Sequence, residues 1–434
     1  MLSIRDTRIT YFARTNARNK RHLFGIKRPD RLYHTYIIGK TGAGKTTLLE
    51  TCMLQDIYDG EGVTLIDPHG DLAEHIAASI PEHRKDDLFY FNVPDPTQPY
   101  GYNPVSYIVP EKRALAASGV LEVFHKYWGE QAWGQRMEYI LRNALLAILE
   151  VPNVTLIDLL ELLQNNEYRK AIVPRITNRQ VQTFWRDEYP KYPARYRIEA
   201  IAPIQNKVGA FLSDPLLHRL LTKPKQPLKL RRIMDERSIL IVNLAKGKLG
   251  EDTAGLLGAL LVTTLGLAAF SRADTKAHER KKHFLYMDEF QNFTTPSIAN
   301  MLSELRKYSL GVIACNQYLS QLQPEVRDAV FGNAGTIISF RLGAEDAPFM
   351  AREFFPTFQM ADILNLPNFD IYLKLMIDGA PSKPFSATTI KPCNTSSFGV
   401  RNVLMRGMSN TRPTAGARMR VRSSRKRGVT NGAA

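Results

Sequence analysis

The stretch YIIGKTGAGKTTLLE, residues 36–50, constrains the fold more than any other part of the sequence. An apolar run precedes the spacing Gly39-x-x-x-x-Gly44-Lys45-Thr46, and the pattern of a helix follows it. In loops of this kind, consecutive backbone N–H groups and a helix N-terminus surround a phosphate group. The sequence therefore predicts a strand, a phosphate-binding loop and a helix, in that order.

The residue types of this loop suit a nucleotide that carries magnesium. Gly39, Gly42 and Gly44 let the backbone turn tightly and approach the phosphate oxygens. We expect Lys45 to neutralise the charge of the β- and γ-phosphates, and the Thr46 hydroxyl to ligate Mg²⁺.

A second acidic site is predicted where HFLYMDEF places Asp288 and Glu289 directly after an apolar run. On a strand neighbouring the loop, Asp288 would hold the magnesium shell, and Glu289 would orient and deprotonate a water molecule. An acid pair after a strand can also be an ordinary surface turn. Together with Lys45, the pair favours hydrolysis over phosphoryl transfer to a substrate.

The following apolar run, GVIACNQ, ends in Gln317. An amide at this point can contact both the γ-phosphate and the attacking water, although Gln317 could instead cap a helix that begins near Leu319. The signals for guanine recognition are missing, since NKVG at 206–209 lacks the required acid. ATP is therefore the expected nucleotide.

Apolar runs followed by glycine or an acid recur along the chain and alternate with helical patterns, which predicts an α/β fold with a largely parallel sheet. Between Glu111 and Lys225 only helical patterns occur, among them the 3–4 spacing from Met137 to Ile148 and a capping box at Thr155 and Asp158. The expected strands are 36–38, 63–66, 88–91, 239–242, 284–287, 312–314 and 336–340.

These patterns divide the chain into four parts. We expect a basic N-terminal segment at 1–32, an ATPase domain at 33–110 and 226–391, an all-helical insertion at 111–225, and a basic, disordered tail at 392–434. Trp128, Trp133 and Trp185 all fall in the insertion, where a helical core is favoured over stacking on nucleic-acid bases.

The charge of the chain is concentrated at its ends. The formal net charge is +16, with nine Lys/Arg against two Asp in residues 1–31 and nine against none in residues 392–434. The middle is neutral, so the ends are expected to contact a polyanion, either nucleic acid or an anionic membrane surface. Solubilising tails are the alternative.

The expected location is cytoplasmic, with a peripheral position at the inner face of the cell membrane left open. Cys52, Cys315 and Cys393 lack the spacing of a disulfide framework or a zinc site. The N-terminus has no apolar core of a secretory signal. The uncharged run 253–271 approaches the length of a membrane span, but its glycines and missing basic flanks favour a buried helix.

Taken together, these motifs resemble those of the HerA/FtsK-type DNA-pumping ATPases, and most closely the TraG/TraD-like conjugative coupling proteins of type IV secretion systems. The resemblance covers roughly residues 33–390 and implies a RecA-like P-loop fold. Its motifs are YIIGKTGAGKTTLLE, GVTLIDPHGDLAE, LYMDEFQNF, CNQYLSQL and GNAGTIISFRLGAEDA.

The resemblance also implies roles for individual positions. Asp288 and Glu289 take the magnesium and water-activating roles, and Gln317 senses the γ-phosphate. His69 is expected to be structural rather than a proton shuttle, and Asp67 to brace the P-loop. Nucleotide binding falls on Gly39, Lys40, Thr41, Gly42, Ala43, Gly44, Lys45, Thr46 and Thr47.

Members of the group carry an arginine between the acid pair and the glutamine strand, which is thought to reach into the neighbouring subunit. Arg306 matches this position and Arg341 competes with it, while a plain surface arginine is the third interpretation. A finger supplied by a neighbour can be worth about 10³ to 10⁵ in rate, so activity would depend on ring assembly.

The resulting hypothesis is an ATP-dependent DNA translocase that acts as a homo-hexamer on DNA, largely independently of its sequence. Relaxase or secretion-channel proteins are its implied partners. Membrane-bound coupling proteins begin with transmembrane helices, and none precedes the P-loop in this sequence. The alternatives are a HerA-like motor in DNA end processing or defence, a nucleotide-switched DNA-binding scaffold, and an ATPase that exports or unfolds protein.

Overall fold

The computed structural model describes residues 6–17, 21–106, 108 and 110–392. From residue 393 onward the predicted tail lies outside the described residues. The strands are β1 Ile9–Thr15, β2 Leu23–Lys27, β3 Thr35–Ile38, β4 Gly62–Asp67, β5 Leu88–Asn92, β6 Tyr100–Gly101, β7 Gln226–Pro227, β8 Ile239–Asn243, β9 His283–Met287, β10 Leu310–Asn316, β11 Thr336–Ser339, β12 Asp370–Lys374, β13 Met376–Ile377, β14 Ala380–Pro381 and β15 Phe385–Thr389.

The α-helices alternate with these strands and fill the interval between β6 and β7. They are α1 Arg28–Arg31, α2 Lys45–Tyr58, α3 Asp71–Ala78, α4 Pro110–Trp128, α5 Gln135–Ile148, α6 Leu156–Gln164, α7 Asn166–Ile172, α8 Arg179–Thr183, α9 Ala194–Ser213, α10 Pro215–Thr222, α11 Leu230–Asp235, α12 Lys246–Leu249, α13 Glu251–Ser271, α14 Pro296–Leu305, α15 Pro324–Asn333, α16 Ala347–Glu353 and α17 Met360–Leu364.

A single eleven-stranded sheet organises the molecule, in the order β2-β1-β15-β12-β11-β3-β10-β9-β4-β8-β5. The strands from β11 to β5 pair in parallel, and the four at the other end pair antiparallel. All seven strands expected from the sequence lie in the parallel part, so the predicted α/β fold with a largely parallel sheet is confirmed.

Burial on both faces explains why these parallel strands are continuous apolar runs in the sequence. In β8, Leu240 and Val242 enter one hydrophobic cluster, whereas Ile239 and Ile241 enter the cluster on the opposite face. Residues of α2 and α3 cover the second face. The helices between β6 and β7, together with α13 and α14, cover the first.

Within the basic N-terminal segment expected at 1–32, residues 9–15 and 23–31 form β1, β2 and α1. Strands β1 and β2 extend the sheet at its antiparallel end, and α1 follows them. Two of the basic residues in this stretch are fully buried in ion pairs: Arg28 with Glu61 at 2.7 Å, and Arg31 with Asp56. These two cations therefore hold the sheet to α2 and its C-terminal turn, and are not free to contact a polyanion.

Between β6 and β7, the described residues from 110 to 222 form helices and the turns that connect them, without a strand, and we call them the helical segment. The predicted apolar face from Met137 to Ile148 is buried in α5, and the capping box of Thr155 and Asp158 opens α6. Trp128 and Trp185 are buried in the same hydrophobic cluster as the sheet face, and Trp133 packs against it. The interpretation of the tryptophans as core residues is thus confirmed.

One helix among the described residues, spanning 251–274, is long and apolar enough to cross a membrane by length and composition. It contains α13, and 83% of its most apolar 18-residue stretch is buried inside the protein. This burial agrees with the expectation of a core helix for the uncharged run 253–271.

Candidate functional site

The predicted site residues meet at the carboxyl edge of the parallel sheet, where the chain leaves β3, β10, β9, β4 and β8 in that spatial order. Ligands of open α/β sheets bind outside the carboxyl ends of the strands. The sequence placed the acid pair on a strand next to the P-loop strand. In the structure β10 lies between them, so that Gln317 comes between the loop and the acids.

The P-loop between β3 and α2 has the backbone of a phosphate cradle. Gly42 and Gly44 adopt φ angles of +75° and +119°, a left-handed region that favours glycine. A Cβ atom on Gly39 would lie 2.5 Å from the Cβ of Phe340. The Lys45 ammonium donates to the carbonyl oxygens of Gly39 at 2.6 Å and Lys40 at 3.1 Å, which holds the cation inside the loop.

Thr46 and Asp288 come together as expected for a magnesium site. The Thr46 hydroxyl donates to Oδ2 of Asp288 at 3.5 Å. Burial, reinforced by the nearby carboxylate of Asp67, raises the pKa of Asp288 above its usual range. A hydroxyl beside a carboxylate at a phosphate loop is an oxygen donor set that suits Mg²⁺, so these residues fit the ion.

Glu289 is held by four side chains from different parts of the carboxyl edge. Its Oε1 lies 2.9 Å from Nε2 of His69 and accepts from Gln317 at 3.1 Å. Its Oε2 accepts from Lys246 at 2.9 Å and from Asn292 at 3.1 Å. Burial alone would raise the pKa of Glu289, but the hydrogen bonds from His69 and Lys246 outweigh it and lower the pKa. Both carboxylate oxygens are therefore engaged.

Gln317 links the P-loop to this glutamate. Its amide nitrogen donates to Glu289, and its Oε1 accepts from the Thr41 hydroxyl at 3.1 Å. The backbone N–H groups of Gln317 and Tyr318 both donate to Oε1 of Gln321 at 3.2 Å. The side chain of Gln317 thus lies between the phosphate loop and the proposed base.

In the turn after β4, Asp67 and His69 make other contacts than those expected from the sequence. Asp67 accepts hydrogen bonds from the backbone N–H groups of His69 and Ala73, each at 2.9 Å, so it braces its own turn rather than the P-loop. This turn aims the His69 imidazole at Glu289. His69, expected to be only structural, therefore belongs to the site.

The two candidate arginine fingers lie at opposite edges of the sheet. Arg306 precedes β10, where its guanidinium lies 3.3 Å from the centre of the Tyr33 ring and donates to the Tyr33 hydroxyl. The length of β10 separates it from its own P-loop by roughly 20 Å. Arg341 follows β11, and its carbonyl oxygen accepts from the N–H of Lys40 at 2.9 Å. Arg306 therefore has no route to its own P-loop, and its role in a neighbour stays a prediction.

Sequence reasoning missed Lys246 and Asn292. Lys246 begins α12, in the loop after β8, where Ala245 adopts a left-handed φ of +35°. Asn292 lies three residues beyond Glu289. The signal for Lys246 was topological, because polar residues just after a buried parallel strand gather at its carboxyl edge. Asn292 lies within the motif LYMDEFQNF.

The order of the parallel strands and the phosphate-binding loop together define a RecA-like P-loop fold. It is similar to plasmid coupling protein TrwB in complex with the GTP analogue GDPNP, at 16% identity and a TM-score of 0.62, over 90% of this chain and 97% of that one. TrwB with ADP and Mg²⁺ gives 16% identity and 0.61 over the same shares. VirB4 of Thermoanaerobacter pseudethanolicus gives 15% identity and 0.60, over 89% and 97%.

No family model matches the sequence, and no curated protein matches it significantly. The structural similarity to TrwB confirms the resemblance to coupling proteins at the level of the fold.

Proposed function

We propose that this protein is an ATPase that hydrolyses ATP at the interfaces of a homo-hexameric ring and uses the energy to move DNA. The observation that carries the proposal is the convergence of Lys45, Thr46, Asp288, Glu289 and Gln317 at one edge of the sheet. Its chemistry is that of water attack on a nucleoside triphosphate.

In this scheme the P-loop binds the phosphates through its backbone N–H groups and Lys45. Thr46 and Asp288 would hold Mg²⁺, which neutralises phosphate charge when bound. Glu289 accepts the proton of the attacking water. A general base of this kind contributes about 10² to 10⁴ in rate.

Glu289 must release at least one of its hydrogen bonds before it can accept that proton, because four side chains occupy its two oxygens. Gln317 is suited to trigger this release, since it contacts both Thr41 in the P-loop and Glu289. A γ-phosphate at the loop would compete for the Gln317 amide and remove one of the two contacts on Oε1, leaving His69 on that oxygen. The arrangement described above is thus a resting state of the base.

The choice of DNA as substrate is supported by charge and by the related fold. The chain carries a formal net charge of +16, and its solved neighbour TrwB is named a conjugative coupling protein. Phosphate contacts of basic residues give affinity that is independent of sequence and falls steeply with salt. Arg306 is the proposed finger for the neighbouring subunit, and relaxase or secretion-channel proteins are the proposed partners.

The test is a translocation assay on linear duplex DNA that carries a third strand bound as a triplex. The wild-type protein should displace the third strand with ATP and not with a non-hydrolysable analogue, and Glu289→Gln should fail with ATP. ATP hydrolysis without displacement would reject the translocase and leave an ATPase of another kind.

A further inference from the structure

Two neighbouring side chains of α4, Lys126 and Tyr127, hydrogen-bond to the loop 290–295 that follows the proposed base, and we call this pair the clamp. The Lys126 ammonium, on α4, donates to three carbonyl oxygens of this loop: Gln291 at 2.7 Å, Asn292 at 3.2 Å and Thr294 at 2.9 Å. All three ammonium hydrogens therefore go to one turn of backbone. The neighbouring Tyr127 hydroxyl also donates to the Asn292 carbonyl.

Helix α4 also contacts two helices beside this loop, α14 and α13. One turn before Lys126, the Glu122 carboxylate accepts from the N–H of Ser297 in the first turn of α14, at 2.5 Å. On the other side, a Cβ atom on Gly255 of α13 would lie 2.3 Å from the Tyr127 hydroxyl oxygen. The close approach of α13 leaves Tyr127 little room to move away from the loop.

The loop in turn contacts the proposed base. The Asn292 side chain donates to Oε2 of Glu289 at 3.1 Å, while its carbonyl is gripped by Lys126 and Tyr127. Glu289 itself has a left-handed φ of +47°, so its side-chain direction depends on how the following turn is held.

We propose that Lys126 is a positioning residue for Glu289, acting through the backbone and side chain of Asn292, and that the helical segment thereby governs ATP hydrolysis. The inference rests on the proposed ATPase function. Its physical basis is that a base displaced by about 1 Å can lose about a hundredfold in rate. A ligand that shifts α4 would move the base without touching the nucleotide.

Four proteins test the coupling in a double-mutant cycle: wild type, Lys126→Met, Asn292→Ala and the double variant. Each single change should lower kcat by about tenfold to a hundredfold and leave KM for ATP unchanged. The double variant should be no slower than Asn292→Ala, because the path is already broken. Independent, multiplying effects would overturn the inference.

Matched changes separate positioning from simple loss of structure. Lys126→Arg keeps the charge and should recover part of kcat, whereas Lys170→Met removes an exposed lysine of the same segment and should change nothing. If Lys126→Met does not fold, Tyr127→Phe removes one hydrogen bond of the same clamp and should lower kcat in the same direction. An inactive wild-type enzyme would reject the proposed function, whereas an active wild type with normal clamp variants rejects only this inference.

The pH dependence of kcat provides a second test of the role of Lys126. Burial lowers the pKa of Lys126 to about 8. The charged groups that line the same cavity, of about 270 Å³, are Lys246, Glu251 and Asp252, with Tyr127 beside them. As pH rises through about 8, Lys126 loses a proton and one hydrogen bond to the loop, so kcat should fall. Lys126→Arg should move this decline to higher pH, and an unmoved decline would contradict the role.

Discussion

The ammonium of Lys246 lies 2.9 Å from Oε2 of Glu289, although the two residues follow different strands of the sheet. This ion pair helps to lower the pKa of Glu289, which makes the carboxylate a weaker base for the attacking water. Lys246→Met should therefore raise ATP hydrolysis in the absence of DNA by a few fold. Lys248→Met, an exposed lysine of the same short helix, is the matched control. A drop in basal rate in Lys246→Met would mean that the pair orients the base instead of restraining it.

Glu289→Gln tests the assignment of the base itself. The amide preserves the shape of the side chain but cannot take a proton, so hydrolysis should fall by about 10² to 10⁴. Binding of a fluorescent ATP analogue should persist, since the P-loop and Asp288 are unchanged. Glu304→Gln, on the exposed face of α14, should behave as the wild type. Hydrolysis at the wild-type rate in Glu289→Gln would remove this residue from the mechanism.

Arg306 and the P-loop lie at opposite edges of the sheet, which makes a complementation experiment possible. Arg306→Ala and Lys45→Ala should each be inactive alone. An equal mixture should regain part of the activity, because an intact P-loop of one variant can meet the Arg306 of the other. The same mixture made with Arg341→Ala is the comparison. Recovery with Arg341→Ala and none with Arg306→Ala would exchange the two roles.

Two buried histidines predict how stability depends on pH. Burial lowers the pKa of His34 to about 4 and that of His283 to about 3. In the unfolded chain both titrate near 6.5. Their contribution to stability is therefore complete above about pH 6.5 and is lost as pH falls toward the folded-state values. At pH 5 each histidine should cost about 2 kcal/mol relative to pH 7.5.

His34→Gln isolates one of these contributions. Neutral His34 accepts from the N–H of Val312 at Nδ1 and donates from Nε2 to the carbonyl of Leu302. The gap in unfolding free energy between wild type and variant should shrink by about 2 kcal/mol from pH 7.5 to pH 5 in urea titrations. An equal gap at both pH values would show that His34 does not titrate on unfolding.

Six of the seven strands that the sequence predicted are buried on both faces, and β5 at the edge of the sheet is the exception. Strands such as β8 are continuous apolar runs, and all seven were located. The antiparallel strands were missed because only alternate residues are buried, as in β12, where Ile371 and Leu373 face inward between polar neighbours. Strand β1 was also missed because arginines surround it in the sequence. The sequence pattern alone does not distinguish such a strand from a solvated basic segment.

The site divides in the same way. Lys45, Thr46 and Asp288 carry motif spacings that follow from phosphate and metal chemistry, so they could be located in advance. Lys246 comes from a loop without a motif, and only the sheet order brings it to Glu289. Asn292 lies within the motif LYMDEFQNF, but the spacing does not show that its side chain turns back to Glu289. His69 was visible in its motif, but its contact depends on the backbone turn fixed by Asp67.

The most direct measurement is ATP hydrolysis by the purified protein with and without linear duplex DNA, with Lys45→Ala as the blank. Strong stimulation by DNA that Lys45→Ala abolishes is the predicted result for a DNA-coupled motor. Robust hydrolysis that DNA does not change would contradict the proposed function and favour a protein substrate or a nucleotide-switched scaffold.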